Sequence, residues 1–119
     1  SLISVYIIAF NEAEKVAATI ESEVRHDVVL VDSWSTDGTP EIAAKLGAKV
    51  VQVDFKGFGD LRNQAIAACT HEWIFSLDAD ERCTPQAEKE IREITTDPNA
   101  LDVYWMPRRN FFMGRWIKH

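Results

Sequence analysis

Two aspartates one residue apart, Asp78 and Asp80, follow the apolar run of residues 73–77, and Glu81 comes directly after them. In an extended chain, side chains two apart point the same way, so both carboxylates share a face. Like charges ~4 Å apart repel by about 1 kcal/mol in water and by roughly 4 kcal/mol at an effective dielectric of 20. Packing gives a strand end no reason to accept that cost, whereas a divalent cation reverses its sign. The competing explanation is a solvated turn, because Asp is common in turns and ahead of helices. An isolated Asp-x-Asp does not decide between the two.

The elements that must carry this pair are legible as an alternation. Residues 2–9 are apolar and β-branched and predict a buried strand. Asn11, with Glu14 three residues later, predicts a capping-box start for a helix over 11–23. A second strand is predicted at 27–32. Thr39 as cap, Pro40 at the first helical position and Gly47 as the stop predict the next helix. A strand at 48–54, a helix at 59–70 capped by Asp60, a strand at 72–78 and a helix at 84–95 follow. A fifth strand is expected at 101–108, and a sixth is expected to begin about a Met113-Gly114 turn. Strands alternating with helices mean an α/β protein with a mainly parallel sheet covered on both faces. Ligands of such sheets bind beyond the carboxyl ends of the strands, at a switch in strand order. Four segments fall on that rim: residues 9–12, 32–39, 54–62 and 78–81. Polar residues concentrate there, which weakens the solvated-turn explanation.

Composition sets outer limits. The 119 residues are enough for one domain with a real core, and 46% hydrophobic with 27% charged is ordinary for a globular chain. A net charge of -6 argues against nucleic-acid binding, which needs a basic face. The charge is uneven: Arg108, Arg109, Arg115 and Lys118 oppose only Asp102 at the C-terminal end, which suits an anionic partner or a solvated edge equally. Cys69 and Cys83 lack metal-ligand spacing, and reduced thiols in a cytosolic protein are expected. The apolar opening is too short to span a bilayer and lacks a charged leader. Ser1 at the start, and an apolar pattern running up to His119, predict a piece of a longer protein.

Three classes compete for the rim. A phospho-acceptor receiver wants an acidic pair after the first strand and a lysine after the last. Here the first strand ends Ala9-Phe10-Asn11-Glu12 and the fifth runs into Pro107-Arg108-Arg109. A phosphatase wants its Asp-x-Asp early in the sheet with Thr or Val two residues on, but Arg82 holds that place. The third class is a nucleotide-sugar transferase. "AFNE", "VDSWSTDGT", the Arg62-Asn63 pair and "LDADE", in that order and spacing, resemble the family 2 glycosyltransferases of the GT-A fold, through nearly the whole chain. Trp34 takes a place that the family's Asp-Ser-x-Ser-x-Asp-Gly-Thr pattern often gives to a small residue. "FKGFGDLRNQA", "WIFSLDADE" and "PRRNFFMGRWI" resemble the branch that adds glucose or a related sugar to the inner core of bacterial lipopolysaccharide.

The resemblance implies a Rossmann-like three-layer sandwich, truncated at its C-terminus, with residues 1–119 as the nucleotide-sugar-binding part. It implies that Ala9 and Phe10 line the base, and that Asp32 accepts a hydrogen bond from the uracil N–H, as an acceptor-only carboxylate can. Asn11 either joins them or only caps its helix, and Glu12 sits at the rim. Arg62 reaches the base or phosphate. Asp78, with Ala79, meets the ribose or helps hold the metal, and Asp80 ligates Mn²⁺ or Mg²⁺ directly. Asp37, Gly38 and Thr39 shape their loop. The donor is then a UDP-sugar and the acceptor a saccharide or lipid-linked saccharide. Transfer inverts the anomeric centre and needs a general base, which is expected beyond His119. The alternative is a module that binds nucleotide and catalyses nothing by itself. A cytoplasmic place, at the inner face of the membrane with peripheral contact, is expected. So is a homodimer, through an apolar C-terminal patch of Phe111, Phe112, Met113, Trp116 and Ile117.

Overall fold

The computed structural model describes residues 3–23, 26–78, 85–96, 103–106 and 111–115. Strands and helices alternate as β1 (Ile3–Ala9), α1 (Ala13–Glu21), β2 (Asp27–Asp32), α2 (Thr39–Lys45), β3 (Lys49–Gln52), α3 (Phe58–Ala68), β4 (Trp73–Asp78) and α4 (Pro85–Thr96). Two strands close the chain, β5 (Val103–Met106) and β6 (Phe111–Arg115). They form one sheet in the order β3-β2-β1-β4-β6-β5. The first four are parallel, and β6 lies antiparallel between β4 and β5. The α/β sandwich expected from the alternation is present.

Strand periodicity divides the core in two. Ile3, Val5, Ile7 and Ala9 of β1, with Val28 and Leu30 of β2 and Trp73, Phe75 and Leu77 of β4, face Val16 and Ile20 of α1, Ala43 of α2 and Ile91 of α4. The intervening residues Tyr6, Val29, Val31 and Ile74 face Leu61 and Ala65 of α3. Burial on both faces is why these strands read as continuous apolar runs instead of alternating ones. The placement of α3 follows from chain direction. The steps from β1 to β2 and β2 to β3 move one way across the sheet, and the step from β3 to β4 moves back past both. Keeping one crossover hand through that reversal requires α3 to change faces. Cys69 is buried beside α3, and Cys83 lies outside the described residues. Among the described residues no helix is long and apolar enough to cross a membrane.

Four expectations about element ends are corrected. Asn11 does not cap α1: Glu12 holds the cap position, with no side-chain bond of its own, and Asn11 is in the left-handed region at φ 53°. Thr39 is the first helical residue of α2, and the cap is Gly38 at φ 92°. Gly57, not Asp60, holds the cap position of α3, and Asp60 lies in its first turn. At the C-terminal end Met113 and Gly114 are not a turn. They pair with Phe75 and Ile74 on one side and with Tyr104 and Val103 on the other, inside a continuous strand.

Candidate functional site

The register of the parallel strands brings three carboxyl ends together. Ala9 pairs with Asp32, and Ile8 pairs with Asp78. The neighbours of β1 are β2 on one side and β4 on the other, so the strand order switches at β1. This is the place where open α/β sheets take ligands.

The loops above these ends are fixed to one another by side chains. Asn11 donates its backbone N–H to Ser35 Oγ (2.8 Å), and its own Oδ1 accepts the Thr36 N–H (2.9 Å). Glu12 N–H reaches Thr39 Oγ1 at 3.0 Å, and Ala13 N–H reaches Asp37 Oδ2 at 3.0 Å. The first N–H groups of α1 are therefore satisfied by the loop after β2, some two dozen residues away in sequence, instead of by a local cap. Asp37 is ionised more readily than an ordinary aspartate, first because the Thr39 hydroxyl donates to it and then because of the Ala13 N–H; slight burial works the other way. Asp32 is fully buried. Its Oδ2 accepts the Ser35 N–H at 2.9 Å and its Oδ1 accepts the Ser35 hydroxyl at 2.5 Å. Ser35 thus relays from the buried carboxylate to the backbone of Asn11.

Trp34 has φ 56°, which is uncommon for any residue with a bulky side chain. Two side chains hold it. Gln52 Oε1 accepts its backbone N–H at 3.0 Å, and Asp54 Oδ1 accepts its indole N–H at 2.9 Å.

Beside these loops lies a cavity of about 500 Å³, within the usual size of a small-molecule site. Ile8, Ala9, Phe10 and Glu12 line it from β1 and its loop, Ser33 and Trp34 from the loop after β2, Asp54 and Phe55 from the loop after β3, and Leu61 from α3. Phe10, Trp34 and Phe55 are 59%, 61% and 58% exposed, so three aromatic rings are left largely uncovered around one cavity.

Of the residues expected at the site, Ala9, Phe10 and Glu12 line this cavity. Asn11 does not; it braces the two loops. Asp32 does not line the cavity; it is buried and bonded to Ser35. Arg62 is exposed on α3, one residue after Leu61. Asp78 is the last residue of β4, beside Ile8, and Ala79 and Asp80 lie outside the described residues. Oxygen-only carboxylate donors at such a strand end suit a hard divalent cation. Trp34, Asp54 and Phe55 also line the cavity; they fall in the rim segments 32–39 and 54–62, where the resemblance points to Asp32 and Arg62 instead. The available signal was an isolated aromatic among polar loop residues, Trp34 between serines and Phe55 between Asp54 and Lys56.

A second cluster of metal-ligating types lies elsewhere. His26 Nε2 stands 3.1 Å from Glu88 Oε1 and 3.6 Å from Glu23 Oε2, and one ligand atom from each residue falls within 4.8 Å of the others. His26 immediately precedes β2, so this group is at the amino end of the sheet, away from the cavity. It ties the end of α1 and the start of β2 to α4.

Residues 4–119 match the model of the family described as Glycosyl transferase family 2. An uncharacterized glycosyltransferase of Rickettsia conorii is 39% identical over 99 residues, covering 82% of this chain and 35% of its own length. The lipopolysaccharide core biosynthesis glycosyltransferase LpsC of Rhizobium meliloti is 28% identical over 118 residues, covering 94% of this chain and 44% of its own. Among solved structures, S. aureus TarS (residues 1–349) superposes with a TM-score of 0.68 at 25% identity, over 79% of this chain and 32% of that one. Glucosyl-3-phosphoglycerate synthase from Mycobacterium tuberculosis, in complex with Mn²⁺, uridine diphosphate and glucosyl-3-phosphoglycerate, superposes at 0.59 with 26% identity, over 68% of this chain and 35% of that one. The chain spans about a third of the length of the first of these relatives.

Proposed function

The chain belongs to glycosyl transferase family 2, with the GT-A fold, and from that premise we propose that residues 1–119 are the part of the enzyme that holds a UDP-sugar donor. The observation that carries this reading is the cavity at the β1 switch point, with three exposed aromatic rings around it. A nucleobase is a flat, largely apolar ring with a polar edge, and such walls suit it. The uridine of the structural relative's complex supports the choice of base. In this reading Ala9 and Phe10 flank the base, with Glu12 at the mouth. Asn11 and Asp32 act as positioning residues, Asp32 through Ser35. Arg62 turns to the diphosphate.

Asp78 and Asp80 would hold Mn²⁺ or Mg²⁺, with Ala79 between them against the donor. When bound, the cation neutralises charge building on the departing nucleoside diphosphate. The similarity to a lipopolysaccharide core enzyme supports a saccharide or lipid-linked saccharide acceptor at the inner face of the membrane. An acceptor hydroxyl would attack the anomeric carbon with inversion, and its proton would pass to a base that is not assigned among the described residues.

Calorimetry tests the donor reading. UDP is expected to bind more tightly with Mn²⁺ than with chelator, and more tightly than GDP or ADP, and Asp80→Ala is expected to abolish the metal effect. Binding that ignores the metal would remove the cation from the reading. Equal affinity for all three diphosphates would remove the uridine.

A further inference from the structure

Trp34 combines four features that a loop residue has no packing reason to combine. Its backbone is in the left-handed region, at φ 56°. Strain of that kind persists only where surrounding structure enforces it, and it gathers at ligand sites. Enforcement is visible: Gln52 and Asp54, at and after the end of β3, hold the main-chain N–H and the indole N–H. The ring so positioned contributes little to the core, being 61% exposed. It lines the same cavity as Phe10 and Phe55.

We propose that Trp34, clipped to Asp54, is a specificity-determining wall of the base end of the donor cavity, against which the uracil ring of the nucleotide stacks. This rests on the donor reading above. A rigid ring loses little conformational freedom when a ligand lies on it, and the indole–carboxylate bond has already fixed its orientation before the ligand arrives. Stacking on an aromatic face recognises the base and not the phosphates. The wall should therefore act on uridine and UDP alike and leave inorganic pyrophosphate untouched. Asp54 is then a positioning residue, acting through the indole.

Titrations of UDP, uridine and inorganic pyrophosphate, each with Mn²⁺, test this on the wild-type chain and on Trp34→Ala, Trp34→Phe, Asp54→Ala and Asp54→Asn. Trp34→Ala is expected to weaken UDP and uridine about ten-fold or more, within the range for losing one base–aromatic stack, and to leave pyrophosphate unchanged. Trp34→Phe, which keeps a ring without its N–H, should fall between. UDP should quench tryptophan emission in the wild type, and Trp34→Phe should lack that part of the response. Asp54→Ala should follow Trp34→Ala, and Asp54→Asn, which still offers an acceptor oxygen, should recover much of the loss. Unchanged UDP affinity in Trp34→Ala overturns the proposal. So does an equal loss for UDP and pyrophosphate, which marks a purely structural role. If the wild type binds pyrophosphate but neither UDP nor uridine, the donor reading fails and this inference with it. UDP binding without any Trp34 effect defeats only the inference.

Discussion

At the scale of single residues, the carboxylates of this chain divide by what they hold. Asp32 and Asp37 serve the rim, and Asp27 serves the opposite end. Asp27 Oδ2 accepts the Ser4 hydroxyl (2.8 Å) and the Thr70 hydroxyl (2.9 Å), joining the starts of β1 and β2 to the segment after α3. Burial is the largest single influence on its proton affinity and raises it. The bonds from Ser4 and Thr70 together outweigh that, with help from the Lys49 charge, so the carboxyl titrates below its ordinary value of 3.8. Asp37 is lowered as well. A depressed folded value means that the stabilisation is complete above the unfolded value and is lost as pH falls through the folded one. Asp27→Asn should therefore be less stable than the wild type at neutral pH, and the gap should close as pH falls below about 4. Urea midpoints at pH 7, 5, 4 and 3 check this. A gap that stays constant would mean that the side chain acts through shape and not charge.

At the scale of elements, the helix starts on the rim are built from pairs of loops. Thr39 is the clearest case: it opens α2, yet its hydroxyl accepts from Glu12 N–H and donates to Asp37, serving the start of α1. Gly38 makes this possible. At φ 92° it turns the chain so that Asp37 on one side and Thr39 on the other both face the start of α1. A Cβ placed there meets nothing within 4 Å, so substitution costs backbone strain alone. Gly38→Ala should lower stability by about 1–2 kcal/mol, the usual cost of left-handed backbone for a residue with a Cβ. Gly38→Asn should lower it less, because Asn tolerates that region. An alanine variant as stable as the wild type would show that the loop can relax without a left-handed residue.

At the scale of the molecule, stability and the proposed function occupy different layers. Phe75 is fully buried at the middle of β4, in the core shared by α1, α2 and α4. Phe75→Ala should cost about 3–5 kcal/mol, a large part of the 5–15 kcal/mol typical of a whole domain. Trp34→Ala, on an exposed ring, should cost far less while removing affinity for the base. Equilibrium unfolding of the two variants side by side makes the comparison. A rim variant as destabilised as the core variant would contradict the separation.

What the sequence determined by itself is what short-range pattern can carry. Continuous apolar runs such as residues 73–77 mark strands covered on both faces, and the Thr-Pro pairs mark helix starts to within a residue. The polar loops fall on one rim because every parallel strand must end there. Tertiary structure alone decided who meets whom. The insertion of β6 between β4 and β5 is a choice of neighbour, and a run of residues reads the same whichever edge it joins. The capping of α1 by Asp37 and Thr39 was misread as local to Asn11, because the satisfying groups lie on another loop. The ties from Trp34 to Gln52 at the end of β3 and to Asp54 just after it, and the place of Trp34 in the cavity wall, join segments that no spacing along the chain connects. Periodicity is a property of one segment and can be read from it; hydrogen-bond partners and cavities belong to pairs and groups of segments, and exist only once the sheet has set their order.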